Sequence, residues 1–471
     1  MFEPVIGLEV HLALRTDSKL FCGCSAEGFG LEPNTNVCPV CLGLPGTLPV
    51  VNERAIELAT TFALALGCEV AEATRFHRKH YFYPDAPKNY QISQYDEPIG
   101  EHGRIVLAGG NAIGITRCHL EEDAGRLVHP PYAQYSLVDF NRAGAPLMEM
   151  VTEPDLRSPE DARDLLLEIR ATARALGVSD ASPEEGKLRA DVNVSLHRAG
   201  EPLGTKVEVK NLNSFRNVAA AIQYEIKRQT KLLEDGRTVA QETRGFNEGG
   251  QRTYSLRGKE GSADYRYLAD PDLPEVRLPP RRRAALMAGL PELPAAKQAR
   301  YTALGLKEDA AHLVAYDVDI AAFFDAARER YAGAAQNLAN WLTGEVAGLL
   351  ASSGLELSAS QLSPENFARL LALVDDGSIS APTAKELLPE VVAGHEPGRL
   401  VDERGLRQVS DEAEVGRLVD EVMAANPELV ARVAANPKAV NALLGAVMKA
   451  SEGRAKPDLV RALLQSRLGA A

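Results

Sequence analysis

Four short segments of this 471-residue chain carry acidic, amide and imidazole groups in patterns that could do chemistry. They are Ile6–Leu12, His119–Gly125, Leu188–Ser195 and Thr205–Lys210. In the first segment, strand alternation places Glu9 and His11 on one face and apolar side chains on the other. The last two segments repeat this pattern, with Asp191 and Glu208 on their polar faces. Carboxylates with a histidine suit Mg²⁺ or Mn²⁺ and predict a metal-assisted site on a sheet.

The segment His119–Gly125 differs from the other three because it is turn-like and has three carboxylates in succession, beginning with Glu121 and Glu122. A solvated antiparallel sheet face would explain any single segment of the four. Ordinary solvated faces favour Lys, Thr and Arg, however. The four segments together therefore favour the metal site.

A second chemical pattern is a group of four cysteines, spaced C-x-C and C-x-x-C: Cys22, Cys24, Cys38 and Cys41. Four thiolates can close a tetrahedral cage on Zn²⁺, and the Gly-, Pro- and Asn-rich loop between them could not hold itself together by burial. The alternative is a set of incidental reduced thiols. A catalytic zinc is less favoured because four thiolates leave no open position.

A third pattern is the segment Arg78–Tyr95, which mixes aromatics, lysines and amides. Such a loop can stack a base and contact phosphates. The alternative is a loop anchored in the core by its aromatic rings. The sequence contains no GxxxxGK[ST] motif, so a standard phosphate-binding loop does not carry a nucleotide site here.

The elements that must position these residues divide the chain by composition. Up to about residue 290, Gly, Pro and short alternating segments predict a mixed sheet. Two helices interrupt it, one starting at Ser158-Pro159 and stopping at Gly177, the other running from Ser214 to Gly236. Their apolar stripes are expected to cover the back of the sheet.

The composition of the chain changes sharply at Pro274–Pro294, which is interpreted as a linker. The rest is helical by periodicity and divides again near residue 400, where Gly394–Gly398 breaks the pattern. We therefore predict an α+β protein: a largely antiparallel, mixed-sheet catalytic cradle domain over 1–292 with a zinc loop at 22–41, a helical domain over 293–400, and a small helical tail over 401–471. The tail's balanced charge leaves room for a nucleic-acid contact, and a plain protein-interaction module is equally consistent with it.

Composition narrows the function classes. A net charge of −13 and a pI near 5.4 argue against wholesale electrostatic binding of nucleic acid, although RNA can still bind at a local site. The absence of a basic, apolar leader and of a bilayer-spanning apolar stretch predicts a cytoplasmic protein that does not use a membrane.

The amino-acid sequences of several segments resemble those of the B subunits of the aspartyl/glutamyl-tRNA(Asn/Gln) amidotransferases. The resemblance runs through nearly the whole chain. The segments that carry it are Ile6–His11, Arg78–Tyr95, His119–Gly125, Gly186–Asn193, Lys210–Phe215, Tyr265–Tyr267 and Asp270–Pro274. The resemblance implies a protein that phosphorylates the side-chain carboxylate of misacylated Glu-tRNA(Gln) or Asp-tRNA(Asn) with Mg-ATP. Ammonia then displaces the phosphate to give Gln-tRNA(Gln) or Asn-tRNA(Asn).

The resemblance also implies roles for individual residues. Carried over position by position, the magnesium ligands are His11, Glu122 and Glu208, with Glu9, Glu121 and Asp191 close behind. Lys79 and Lys88 join Glu122 as catalytic candidates that contact phosphate or line an ammonia route. The ATP-binding candidates are Tyr81, Tyr83, Asp85, Lys88, Tyr90, Gln91 and Ser93.

The sequence predicts that a partner protein supplies ammonia. We find no Gly/Ser-rich amidase signature and no credible cysteine nucleophile for glutamine hydrolysis, so ammonia must come from elsewhere. The resemblance implies a heterotrimer with two partners, the amidase (A) subunit of the family and its small (C) subunit, with the tail meeting tRNA. The zinc assignment rests on the cysteines themselves, since only part of the family has the four-cysteine loop. No inserted domain is visible between residue 290 and the tail, which favours the bacterial or organellar type.

Two other classes stay open from the residues alone. One is a metal-dependent hydrolase, such as a nuclease, that would need metal without ATP. The other is a non-catalytic RNA-binding scaffold with a zinc loop.

Overall fold

The structure is a computed structural model that describes residues 2–212, 214–258, 265–408, 411–435, 440–451 and 454–469. The chain forms two compact units, Met1–Pro294 and Ala295–Ala471. A mixed sheet dominates the first unit, and the described part of the second is helical. The predicted α+β fold class is confirmed. Asn213, which lies in one of the segments that carry the family resemblance, falls outside the described residues.

The first unit contains sixteen strands and four helices among the residues described. The strands are β1 (Phe2–Ala13), β2 (Glu69–Val70), β3 (Ala73–Thr74), β4 (His77–His80), β5 (Tyr90–Ser93), β6 (Gly100–Val106), β7 (Ala112–Glu122), β8 (Arg126–Val128), β9 (Leu137–Asp139), β10 (Pro146–Thr152), β11 (Leu188–Arg198), β12 (Val207–Leu212), β13 (Glu242–Asn247), β14 (Arg252–Gly258), β15 (Leu268–Ala269) and β16 (Val276–Arg277). The helices are α1 (Glu53–Ala65), α2 (Pro159–Ala175), α3 (Phe215–Glu234) and α4 (Pro280–Ala288).

Nine strands form the main sheet, in the order β14-β13-β12-β11-β1-β10-β7-β6-β2. All neighbours are antiparallel except β12 and β13, which are parallel. The register places His11 of β1 opposite both Glu149 of β10 and Arg189 of β11. It also places Glu149 opposite His119 and Glu9 opposite Asp191. Polar side chains from separate strands therefore line up in rows across one face.

The opposite face of the sheet is the core. Leu8 and Val10 of β1 are each 1% exposed and share one buried cluster with the apolar stripes of α2 and α3. Both predicted helices are confirmed: Ser158 accepts a hydrogen bond from the backbone N–H of Asp161 at the start of α2, and Ser214 caps α3. The covering of the sheet's back by these helices is confirmed as well.

The prediction of a turn over His119–Gly125 is wrong for its first four residues. They form the end of strand β7. Because successive side chains of a strand point to opposite faces, Glu121 and Glu122 are directed apart.

The interpretation of Pro274–Pro294 as a linker is also wrong. Strand β16 pairs with β3, and the buried Leu278 donates its backbone N–H to the carbonyl of Glu72. Pro280 stands at the start of α4, where its missing N–H costs nothing, so the two prolines begin a helix here. Arg283 of that helix donates to the backbone carbonyl of Val70, 2.7 Å away.

The second unit consists of α5 (Pro294–Ala303), α6 (Glu308–Ala315), α7 (Val318–Arg328), α8 (Ala335–Asn340), α9 (Ala347–Ser353), α10 (Pro364–Asp375), α11 (Ala381–Val392), α12 (Pro397–Glu403), α13 (Glu412–Ala425), α14 (Pro427–Ala435), α15 (Val440–Ala450) and α16 (Pro457–Gly469). A π-helical turn, Trp341–Val346, joins α8 to α9, and a 3₁₀ turn, Leu357–Ala359, follows α9. Buried apolar side chains form two separate clusters, one from Tyr301 to Val401 and one from Val415 to Leu464. Among the described residues, no helix combines the length and apolar character that crossing a membrane requires.

Candidate active site

The first group of polar side chains joins three neighbouring strands of the main sheet. His11 of β1 has its Nε2 atom 3.5 Å from Glu121 Oε1 of β7 and 3.5 Å from Glu149 Oε2 of β10. His119 approaches the same Glu149 oxygen at 3.5 Å through its Nε2 atom. One ligand atom from each of His11, Glu121 and Glu149 lies within 4.8 Å of the others.

Burial and neighbouring charges have opposite effects on the pKa values of His11 and Glu149. Burial lowers the pKa of His11, but hydrogen bonds from its ring to Glu121 and Glu149 outweigh this and raise the pKa to about 10. Burial would raise the pKa of Glu149, yet His119 and His11 hold it well below its usual range. His11 therefore carries a positive charge that offsets one of the two carboxylate charges.

These residues fit a small divalent cation. The Oε2 atom of Glu121 is buried and has no hydrogen-bond partner among the described residues, with His119 Nε2 at 4.0 Å, so this oxygen can still accept a ligand. Two carboxylates and an imidazole are a donor set that Mg²⁺ or Mn²⁺ accepts. A cation bound there would have to displace the proton of His11, because only neutral imidazole is a ligand.

A second acidic group lies on the same face, on the other side of β1. It consists of Glu9, Asp191 and Glu208, again with one oxygen each within 4.8 Å. Lys210 Nζ is 2.8 Å from Asp191 Oδ2 and 3.0 Å from Glu208 Oε1. The group therefore already holds a cation, the lysine ammonium.

Lys79 of β4 interacts electrostatically with the carboxylates of the first group. Burial lowers its pKa, but the charges of Glu121 and Glu149 prevail and raise it to about 12. Its ammonium lies 5.0 Å from the centre of the Tyr265 ring. Lys79 is thus a fixed positive charge beside the two carboxylates.

Glu122 and Lys88 lie together but apart from both acidic groups. The Lys88 ammonium forms an ion pair with Glu122, whose other oxygen accepts the backbone N–H of Ile92 at 2.8 Å. Gln91 donates its side-chain amide to the Glu122 carbonyl, also at 2.8 Å. The same ion pair lines a cavity of about 210 Å³ that also borders Cys41. Glu122 is separated from its neighbour in sequence because side chains alternate across the strand.

The predicted nucleotide-binding residues lie on β5 and on the loop that joins β4 to β5. Tyr81 and Tyr83 have ring centres 5.8 Å apart, and Tyr83 is exposed. Asp85 Oδ1 is buried without a hydrogen-bond partner among the described residues, and burial raises the pKa of this carboxyl group. The guanidinium of Arg78 lies 4.6 Å from the centre of the Tyr90 ring, whereas Ser93 is buried. The loop is therefore partly anchored and partly exposed.

The four cysteines meet as predicted from their spacing. One sulfur from each of Cys22, Cys24, Cys38 and Cys41 lies within 4.8 Å of the others. The backbone N–H of Cys38 donates to Cys41 Sγ at 3.1 Å, and the buried Lys19 ammonium lies 3.7 Å from the same sulfur. A hydrogen bond from Cys22 lowers the pKa of Cys41, with Lys19 contributing. A thiolate supported by these donors fits a structural zinc site.

Sequence reasoning missed Glu149 and His119 as members of the first group. Glu149 stands between two methionines in Pro146–Thr152, a strand whose other residues are apolar except for Thr152. A lone carboxylate inside such a run is the signal that could have identified it. His119 lies in a segment predicted as a turn, and a turn does not assign a side chain to a face of the sheet.

Fold and site together define the class of this protein: an α+β domain with residues on one sheet face that could hold a metal ion, followed by a helical region. The family model described as "GatB/GatE catalytic domain" matches residues 4–283, and the "GatB domain" model matches 322–468. The chain is 55% identical over 470 residues to the B subunit of the aspartyl/glutamyl-tRNA(Asn/Gln) amidotransferase from Thermus thermophilus, with 100% of each chain covered. It is 52% identical to the protein of that name from Deinococcus radiodurans and 49% identical to the one from Persephonella marina, with 99% of each chain covered in both cases.

This chain belongs to the GatB family, the B subunits of tRNA-dependent amidotransferases. The family predicted from the sequence segments is confirmed.

Proposed function

We propose that this protein is the carboxylate-activating subunit of an ATP-dependent, tRNA-dependent amidotransferase. It phosphorylates the side-chain carboxylate of misacylated Glu-tRNA(Gln) or Asp-tRNA(Asn) and directs ammonia onto the activated acyl group. The products are Gln-tRNA(Gln) or Asn-tRNA(Asn). The observation that supports this most directly is the His11–Glu121–Glu149 group beside Lys79, in a chain of this family.

The residues on the sheet face suit phosphoryl transfer, in which positioning and charge stabilisation do most of the work. Magnesium bound with ATP would neutralise charge that develops on the phosphoryl oxygens. His11, Glu121 and Glu149 would hold that ion, and their placement on three hydrogen-bonded strands keeps the donor atoms in register. Lys79 would bind a phosphoryl oxygen from the side of β4, because its pKa keeps it charged at neutral pH.

The proposed roles of the remaining predicted residues follow from where the residues lie in the structure. The second acidic group, Glu9, Asp191 and Glu208, would bind a further cation only if Lys210 moved away from it. Glu122 and Lys88 would line the approach of ammonia, and the magnesium role predicted for Glu122 remains a prediction. The aromatic loop would contact ATP through Tyr81, Tyr83, Asp85, Tyr90, Gln91 and Ser93.

The proposal includes partners and a second metal. Ammonia would come from the amidase (A) subunit, and the small (C) subunit would complete a heterotrimer in the cytoplasm. Structural Zn²⁺ would be held by the four cysteines. The tail would contact the tRNA, which reconciles an acidic chain with an RNA substrate.

The test is Mg-dependent conversion of ATP to ADP by this chain reconstituted with amidase and small subunits, with ammonium as the nitrogen donor. Glu-tRNA(Gln) or Asp-tRNA(Asn) should stimulate ATP cleavage, and uncharged tRNA should not. The same reaction with Glu149→Gln should lose this stimulation, because a carboxylate charge is removed at nearly constant volume. Absence of stimulation by either misacylated tRNA in the unaltered enzyme would contradict the proposal.

A further inference from the structure

One partly buried cation on the polar sheet face has no role in the proposal above. Arg189 of β11 lies directly opposite His11 in the strand register and two residues before Asp191. It is therefore placed between the two acidic groups. Its neighbours Leu188 and Ala190 point into the core, so alternation directs Arg189 to the polar face.

The guanidinium of Arg189 has one hydrogen-bonded partner, the carboxylate of Asp123, among the residues that the structure describes. Its Nη2 atom lies 3.1 Å from Asp123 Oδ1, and Asp123 is itself 8% exposed. Its Nε atom is buried and has no hydrogen-bond partner among these residues. A buried donor without a partner is costly unless something binds it. Arg117, Arg170 and Arg283 also have such an Nε atom, but Arg189 is the one opposite His11.

A second arginine provides the comparison. Arg142 binds the other oxygen of Asp123 through Nε at 3.1 Å, and it also donates to the carbonyls of Ala124 and Gly125. Its Nε is thus occupied, whereas the Nε of Arg189 is not. The two arginines share one carboxylate and differ in their remaining donor capacity.

Charge decides what Arg189 can bind. The guanidinium of Arg189 is charged because arginine side chains keep their proton in proteins, and it donates a hydrogen bond to Asp123. The second acidic group has three carboxylates beside the ammonium of Lys210, so this part of the face repels anions, although both reactants of the proposed reaction are anionic. A cation with an available donor favours the approach of an anionic oxygen to this face, and Arg189 is such a cation. Guanidinium groups stabilise such oxygens in phosphoryl transfer.

We propose that Arg189 binds an anionic oxygen of the reacting pair, either on the terminal phosphoryl group of ATP or on the side-chain carboxylate of the aminoacyl-tRNA. This inference rests on the proposed function. The two sources share the same chemistry, a negatively charged oxygen that accepts a hydrogen bond from Nε.

The test compares Arg189→Met, Arg189→Lys and the matched control Arg142→Met in the reconstituted three-subunit enzyme with ammonium. The KM for ATP, the KM for Glu-tRNA(Gln), kcat and the melting temperature are measured for each. Losing a hydrogen bond to a charged group should raise one KM, or lower kcat, by about 10- to 100-fold in Arg189→Met. Arg189→Lys should recover part of this loss because it keeps the charge, and Arg142→Met should change these constants much less.

The kinetic constant that changes in Arg189→Met identifies which anionic oxygen Arg189 binds. A raised KM for ATP places the contact on the phosphoryl group, a raised KM for Glu-tRNA(Gln) places it on the carboxylate, and a lower kcat alone places it in the transition state. Kinetic constants in Arg189→Met equal to those of Arg142→Met would overturn the inference, as would a fall in melting temperature without a kinetic change. Failure of the proposed function is distinguishable, since the unaltered enzyme would then show no tRNA-stimulated ATP cleavage at all.

Discussion

At the scale of single residues, alternation along strand β7 separates two glutamates that are neighbours in sequence. Glu121 joins His11 and Glu149, whereas Glu122 pairs with Lys88 near the cysteine loop. The two carboxylates therefore have different partners, although they are adjacent in the sequence. Their substitution should separate cation binding from the other functions of the site.

The first prediction concerns this pair. Glu121→Gln should raise the Mg²⁺ concentration needed for half-maximal activity, because it removes one of two carboxylate charges from the first group. Glu122→Gln should abolish amide formation while leaving the fold intact. Glu122→Gln should weaken Mg²⁺ binding less than Glu121→Gln does, because it disrupts the ion pair with Lys88 instead. Amide formation and direct Mg²⁺ binding are measured for both variants, and an equal loss of Mg²⁺ affinity in the two would support Glu122 as a ligand.

The second prediction concerns the cysteines. The purified protein should contain one equivalent of zinc, and Cys38→Ser combined with Cys41→Ser should remove it, because a tetrahedral site needs its thiolates. Cys68→Ser is the control, since Cys68 is a core residue outside the group of four. Metal analysis of the three proteins decides the assignment, and zinc retained by the double variant would refute it.

Lys19 lies next to the four cysteines and is expected to support zinc binding. Its ammonium is buried and lies 3.7 Å from Cys41 Sγ, so it offsets part of the negative charge of four thiolates. Lys19→Met should lower zinc affinity by about 10- to 100-fold, as measured by competition with a chelator. Unchanged affinity would limit Lys19 to its hydrogen bond with the Asn36 carbonyl.

At the scale of elements, the segment Pro274–Pro294 shows how a proline-rich composition can be misread. The paired strand β16, the buried Leu278 and helix α4 make it part of the first unit. Proline is compatible with the first position of a helix, as at Pro280, and with the residues just before a short strand, as at Pro274. Composition alone does not distinguish this case from a linker.

The third prediction tests the packing of that segment. Leu278→Ala should lower the free energy of unfolding by about 2–5 kcal/mol, because Leu278 is fully buried in the main cluster. Met287→Ala in α4 is the control, and it should have a small effect since Met287 is 50% exposed. Urea unfolding followed by circular dichroism compares the two. Equal, small effects would restore the interpretation as a linker.

At the scale of the whole molecule, the second unit has two separate apolar clusters. Leu400 and Val401 are buried in the cluster that begins at Tyr301, so α12 packs with the helices before it. The cluster from Val415 to Leu464 contains the buried residues of α13, α15 and α16. A truncation that removes the tail without exposing the earlier cluster should therefore end after Gln408 rather than at residue 401.

The fourth prediction uses this truncation. Ending the chain after Gln408 should weaken tRNA binding and spare Mg-ATP binding, because the tail is proposed to contact the tRNA and the acidic groups lie in the first unit. Binding of labelled tRNA and of Mg-ATP to the reconstituted complex is measured with the full and the shortened chain. Loss of both activities together would contradict this division of roles.

The sequence by itself determined several of the residues that could bind metal, because strand alternation sorts side chains onto faces without reference to any partner strand. This identified Glu9, His11, Asp191 and Glu208, and the four cysteines were identified because their short spacing confines them to one loop. Cap residues likewise located α2 and α3.

Only the tertiary structure decided how these residues are grouped. Which strands are neighbours depends on long-range pairing, and this pairing places Glu149 opposite His11, although β1 and β10 are far apart in the chain. It also divides the predicted ligands into two groups, gives Lys210 to one of them, and separates Glu122 from both. Local patterns encode the face on which a side chain lies, whereas the distance between two side chains depends on the order and register of strands that are distant in sequence.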